Sequence, residues 1–157
     1  MTRRHRPGVW IVLLCVPALA PGGCKKKEQE SPDAPALAAL APYGAQAKLS
    51  DQGRVVELKL EGQRVDNAAL DHVKGLAQLK TLSLYGSSVT DDGLAKLRES
   101  PALEALGLGR TGVTRRGLAH LERLPALRWL WVNETKVTPA EAEDFKKKAV
   151  PGITVYR

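Results

Sequence analysis

The sequence predicts an α/β solenoid. A parallel sheet carries short helices on its other side, wound from four 24-residue coils and closed by a partial C-terminal strand. Three observations lead to that expectation. Segments starting at Val55, Leu79, Leu103 and Leu127 repeat one pattern every 24 residues without an insertion, and a fixed period in the twenties marks stacked repeats. Within each segment the fourth and sixth positions are apolar: Leu58 and Leu60, Leu82 and Leu84, Leu106 and Leu108, Leu130 and Val132. That alternation puts one face of a short strand inward. The twelfth position is Asp66, Thr90, Thr114 or Thr138, all side chains that start helices.

Taken from the N-terminus, residues 1–23 read as an export signal. Arg3, Arg4, His5 and Arg6 precede an apolar run from Val9 to Ala20, which is too short to span a bilayer. The stretch PGGCKKK follows and resembles a bacterial lipoprotein signal. The resemblance implies cleavage before Cys24 and a lipid on its thiol, with Pro21 standing where leucine is usual. An ordinary cut after Ala18-Leu19-Ala20 and an uncleaved anchor are the alternatives. Cys15 lies inside the apolar run, so the mature domain is expected to have no disulfide and to rely on its core.

Residues 24–35 form the lipidated cysteine and a polar tether, KKKEQESPDAP, which reaches about 36–40 Å at full extension. Residues 36–54 are expected to cap the repeats with a short helix and a hairpin. Leu37, Leu40 and Tyr43 recur every three residues and Gly44 supplies the stop. A strand is expected near Ala47–Leu49, followed by the turn Ser50-Asp51-Gln52-Gly53.

The repeats run from 55 to 157. Val65, Val89, Val113 and Val137 seal the turn after each strand. Leu70 with Val73, Leu94 with Leu97, Leu118 with Leu121, and Ala142 with Phe145 then fall on one face of each helix. Thr138-Pro139-Ala140-Glu141 has the form of a capping box with proline at the first helical position. A partial copy, PGITVYR, closes the chain.

The segments LKTLSLYGSSVTDDGLAKL and LEALGLGRTGVTRRGLAHL resemble the leucine-rich repeat family, and most closely its bacterial subclass with a TxVTDxGL return. Thr111 and Thr135 hold the place usually given to asparagine, while Gln63, Ser87 and Ala142 depart from the pattern. The resemblance implies a curved solenoid whose concave sheet binds other molecules, usually proteins. It implies no activity by itself.

The net charge of +7 comes from 24 basic and 17 acidic residues, and three of the bases lie in the expected signal. The remaining mild excess has no dense cluster, so no nucleic-acid partner is expected. The stretch GLGRTG, Gly107–Gly112, fits a dinucleotide fingerprint. Its glycines, however, fall in repeat columns that hold Ser83, Tyr85 and Ser88 in one coil and Trp131, Asn133 and Lys136 in another. The acid expected about 20 residues later is missing from Leu127–Val132. His72 and His120 occupy the same column two coils apart, roughly 16–20 Å at normal helix spacing. They are read as solvated, and no metal, cofactor or catalytic residue is expected. Ser83 has no histidine within one coil to activate it.

The candidate site is on the concave face. Trp129 and Trp131 occupy the third and fifth positions of their coil, which point away from the leucine layer. Beside them in neighbouring coils stand the small Ala105, Gly107 and Gly109. Tyr85 lies across that floor, and Thr154 and Tyr156 lie on the far side. Arg110, Asn133 and Glu134 are expected at the rim. The aromatic cluster either binds a partner or folds over the glycine floor and shields the sheet. A non-catalytic envelope lipoprotein binding a protein through Trp129, Trp131, Tyr85, Arg110, Asn133 and Tyr156 is the resulting expectation. It would be lipid-anchored to a membrane and exposed outside the cytoplasm. A glycan or cell-wall ligand and a purely structural role are the alternatives.

Overall fold

The computed structural model describes residues 10–11 and 31–157. Cys24, most of the expected signal and the tether up to residue 30 lie outside the described residues. Seven strands form one sheet in chain order: β1 (Trp10–Ile11), β2 (Gln46–Leu49), β3 (Val55–Lys59), β4 (Thr81–Ser83), β5 (Ala105–Gly107), β6 (Trp129–Trp131) and β7 (Thr154–Tyr156). β1, β2 and β3 pair antiparallel, and β3 through β7 run parallel. The helices are α1 (Ala34–Leu40), α2 (Ala69–Val73), α3 (Asp91–Ala95), α4 (Arg115–Leu121) and α5 (Pro139–Lys148). α1 packs on α2, α3 on α4 and α4 on α5, while α2 meets the 3₁₀ turn Lys96–Glu99 that follows α3. The result is a mixed α/β fold in which short helices alternate with the strands of one sheet. Among the described residues, no helix is long and apolar enough to cross a membrane.

Register follows the repeat. Leu58, Leu82, Leu106, Leu130 and Val155 pair across successive strands, and the four leucines are fully buried. The sixth-position column, the valine column and the paired helix residues join them in one continuous core. Each such side chain contributes about 1.5–3 kcal/mol by leaving water. The core is continuous from one repeat to the next, so this stabilisation is shared between neighbours.

The N-terminal cap is docked. α1 begins at Ala34, two residues before its expected start, because Asp33 is fixed: its carboxylate accepts from the Val55 amide at 2.8 Å and from Arg54 at 3.3 Å. The helix tightens into a 3₁₀ turn over Ala41–Tyr43, and Gly44 ends it with a left-handed φ of 72°. This is the stop that Gly44 was expected to give.

The helix starts are linked between coils, which the columns alone did not reveal. Asn67 accepts from the Thr90 amide at 3.0 Å and donates to the Thr90 hydroxyl at 2.8 Å. Asp91 accepts the Thr114 amide at 2.8 Å and the Thr114 hydroxyl at 2.6 Å. Thr114 also accepts from Arg116 within its own helix, whereas Thr90, expected to cap its helix, makes no such bond. Its hydroxyl already accepts from Asn67. Gly93 and Gly117 make room for these contacts. An added Cβ would lie 2.3 Å from Asn67 Oδ1 at Gly93 and 2.4 Å from Asp91 Oδ1 at Gly117. In the last coil Glu141 stands in that glycine column, and it closes the expected capping box with Thr138. Asp66 accepts from the amides of Ala68 and Ala69.

Threonine in the usual asparagine place also has a structural cause. Thr111 and Thr135 each donate to the carbonyl three residues back, Leu108 and Val132, at 2.7 Å. Ser87, in the same column, is buried with its hydroxyl unpartnered.

Candidate functional site

The face of the sheet opposite the leucine layer carries the aromatic residues. Strand alternation sends Leu130 inward and both neighbours outward. Leu130 is fully buried, while Trp129 is 40% and Trp131 37% exposed. Tyr85 at 39% and Tyr156 at 44% complete the set of exposed large apolar side chains among the described residues.

Position in the sheet decides how they meet. Gly107, Trp131 and Tyr156 are register partners on β5, β6 and β7. The Trp131 and Tyr156 rings stack with centroids 5.2 Å apart and planes 12° from parallel. With Tyr156 against one side of the indole, its other side turns toward the floor over Gly107. A Cβ on Gly107 would touch Ser83 Oγ at 3.6 Å and Ser83 Cα at 3.7 Å, ordinary contacts, so a methyl fits there without a clash. Gly109 is the opposite case. A Cβ there would lie 2.8 Å from both Tyr85 Cδ2 and Asn133 Oδ1, so the Tyr85 ring and the Asn133 amide close over Gly109 from the two sides. The space left is a groove of ≈250 Å³. Ser83 and Tyr85 form one wall, Gly107 and Gly109 the floor, and Trp131 and Asn133 the other wall.

The rim is charged and strained. Arg110 Nε donates to Glu134 Oε2 at 2.8 Å, and the Arg110 guanidinium lies 5.9 Å from the Tyr85 ring centroid. Glu134, as acceptor and neighbouring charge, raises the Arg110 pKa above its ordinary value. Both residues adopt left-handed backbone, φ 57° at Arg110 and 54° at Glu134. They share the eighth repeat position with Gly62 (φ 93°) and Gly86 (φ 66°). The turn demands positive φ in every coil, and only glycine adopts it freely. At the other end of the groove the Ser83 hydroxyl donates to Glu61 at 2.7 Å.

Of the residues singled out in the sequence, Tyr85, Trp131 and Asn133 line the groove. Tyr156 backs Trp131, and Arg110 sits over Tyr85. Trp129 is on the same face but does not line the groove. Ser83 and Glu61 were not expected at the site. Their signal was available, since Ser83 shares the column of Gly107 and Glu61 that of Gly109. His120 lies beside Arg98, and no group of His, Cys, Asp and Glu suited to a metal occurs among the described residues.

No protein-family model matches the chain, and no curated protein matches it in sequence. Among solved structures, the crystal structure of PEPR1-AtPEP1 is similar over 70% of this chain at 16% sequence identity and a TM-score of 0.40. The chain spans 19% of that protein's length. A likeness of this size carries no functional weight.

Proposed function

We propose that the protein is a non-catalytic recognition module of the cell envelope. In this proposal a lipid on Cys24 anchors it to a membrane, outside the cytoplasm. A solenoid of four 24-residue coils and a closing strand presents its concave sheet to a protein partner. The observation that carries the proposal is the exposure of Trp129, Trp131, Tyr85 and Tyr156, between 37% and 44%, on one face of one sheet. The alternative role, shielding the sheet, is less well supported. Trp131 stands stacked on Tyr156 and is not among the nearest atoms to a Cβ at Gly107. Trp, Tyr and Arg are the usual energetic anchors of protein interfaces.

The test compares wild type with Trp131→Ala in quantitative capture of envelope proteins, with cell-wall fragments offered in parallel. Capture that drops in the variant while it remains cooperatively folded supports the proposal. Binding of cell-wall fragments alone would replace a protein partner with a glycan. The intact mass of the membrane-extracted protein tests cleavage before Cys24 and its lipid together.

A further inference from the structure

Bases that are scattered along the sequence are gathered by the fold on one rim of the sheet. We infer that this rim, at the strand starts and helix ends, docks on the anionic head groups of the membrane that holds the lipid anchor. The inference rests on the proposed lipid at Cys24 and adds the surface through which the domain meets the bilayer.

Topology places the rim. Backbone bonds run from Lys80 to Val56, from Glu104 to Lys80, from Arg128 to Glu104 and from Thr154 to Arg128, so these residues form a row at the starts of successive strands. The C-terminal ends of the helices lead into the same row. Arg123 follows α4, and Lys147 and Lys148 close α5. The tether arrives here too: Ser31 donates to the Gly53 carbonyl, and Asp33 accepts from Arg54 and from the Val55 amide.

Charge gives the second part. Ion pairs neutralise some of the rim, Arg54 with Asp33, Lys74 with Glu99 and Lys80 with Glu104. Arg123, Arg128, Lys147 and Lys148 are exposed, and none of them has an ion-pair partner among the described residues. Against them stand Asp51 and Glu122. Bases in the last turn of α5 complement its dipole, but Arg128 lies at a strand start, beyond the reach of that effect. The opposite rim is balanced. There Arg115 and Arg116 sit among the helix-start carboxylates Asp91, Asp92 and Glu141.

Reach gives the third part. Fully extended, residues 24–30 span about 23–25 Å. Arg128, at the start of β6, is three strand spacings from the start of β3, about 14 Å. The anchor and the four bases can therefore rest on one membrane plane, with Lys25, Lys26 and Lys27 next to the lipid. Each base near an anionic surface raises occupancy about fivefold, and the attraction acts within about 8 Å at physiological salt. This pose leaves the groove free, because Tyr85, Gly109 and Asn133 follow the strands on the far rim.

The experiment reconstitutes the full-length protein in vesicles of phosphatidylcholine, with or without phosphatidylglycerol, and follows amide hydrogen exchange. Residues 122–128 and 146–152 are expected to exchange at least about threefold more slowly with the anionic lipid than without it. Salt at about 1 M, where the screening length is near 3 Å, is expected to erase the difference. Arg123→Glu with Lys147→Glu is expected to abolish the slowing. Arg116→Glu with Lys136→Glu makes the same charge change on the opposite rim and is expected to keep it. Exchange of the leucine core in both variants reports that they remain folded. Equal exchange in the two kinds of vesicle, a difference that survives salt, or equal loss in both double variants would each overturn the inference. Mass spectrometry of the same sample separates the failures: a lipid on Cys24 without the anionic effect overturns this inference alone, whereas a mass without lipid overturns the anchored reading as well.

Discussion

Asp91 and Thr114, 23 residues apart, form a two-point contact in which one carboxylate accepts both the amide and the hydroxyl of the next coil's helix start. Gly117 holds the space for it. Asp91→Ala removes both bonds and is expected to cost about 1–2 kcal/mol. Gly117→Ala forces a methyl against Asp91 Oδ1 and is expected to cost about 1–3 kcal/mol, despite alanine's better helix propensity. The double variant should cost less than the sum, because both changes break one contact. Urea titrations of the three variants measure this.

Ser87 presents the reverse case. Its hydroxyl is buried and unpartnered, while Thr111 in the same column bonds the carbonyl three residues back. Ser87→Thr is expected to stabilise the protein by about 0.5–1 kcal/mol, the net worth of one hydrogen bond. A lowered denaturation midpoint would show that the extra methyl does not fit.

Core and open face should respond unequally. Leu106→Ala opens a cavity in the leucine layer and is expected to cost about 2–5 kcal/mol. Trp131→Ala removes a side chain that is 37% exposed and stacked on Tyr156 and is expected to cost less, about 1–2 kcal/mol. Calorimetry of the two variants separates an interaction surface from a shielded one.

The capping box predicts an acid response. Thr138, donating to the Glu141 carboxylate from its backbone and its hydroxyl, holds the Glu141 pKa below its ordinary 4.5. A carboxylate with a lowered folded-state pKa stabilises the fold above its unfolded value and loses that contribution as pH falls through the folded one. Stability is therefore expected to decline below about pH 4.5, with a shallower decline in Glu141→Gln. Carbon-detected titration should place Glu141 below its ordinary value of 4.5.

Much of this architecture could be read from the sequence, because each core column repeats an inward-facing residue every 24 positions. The open face was readable for the same reason: once Leu130 is inward, Trp129 and Trp131 must be outward. The contacts between coils were hidden. Asn67 and Asp91 look like local helix-start residues, and Gly93 and Gly117 look like weak points in a helix, until the neighbouring coil is placed beside them. The left-handed backbone at Arg110 and Glu134 lay between these extremes. Gly62 and Gly86 announced the demand for positive φ, but nothing in composition says that two charged residues will tolerate it.

The capping contacts also run in one direction. Asn67 serves Thr90 and Asp91 serves Thr114, each reaching forward to the next helix. Arg115, in the same place, offers no acceptor, and Thr138 is satisfied by its own Glu141. A tandem duplication of residues 91–114 would therefore carry everything its successor needs, and the array could lengthen from its interior by unequal recombination. The repeat that begins at Leu127, asking nothing of its predecessor at this position, would be indifferent to such an insertion.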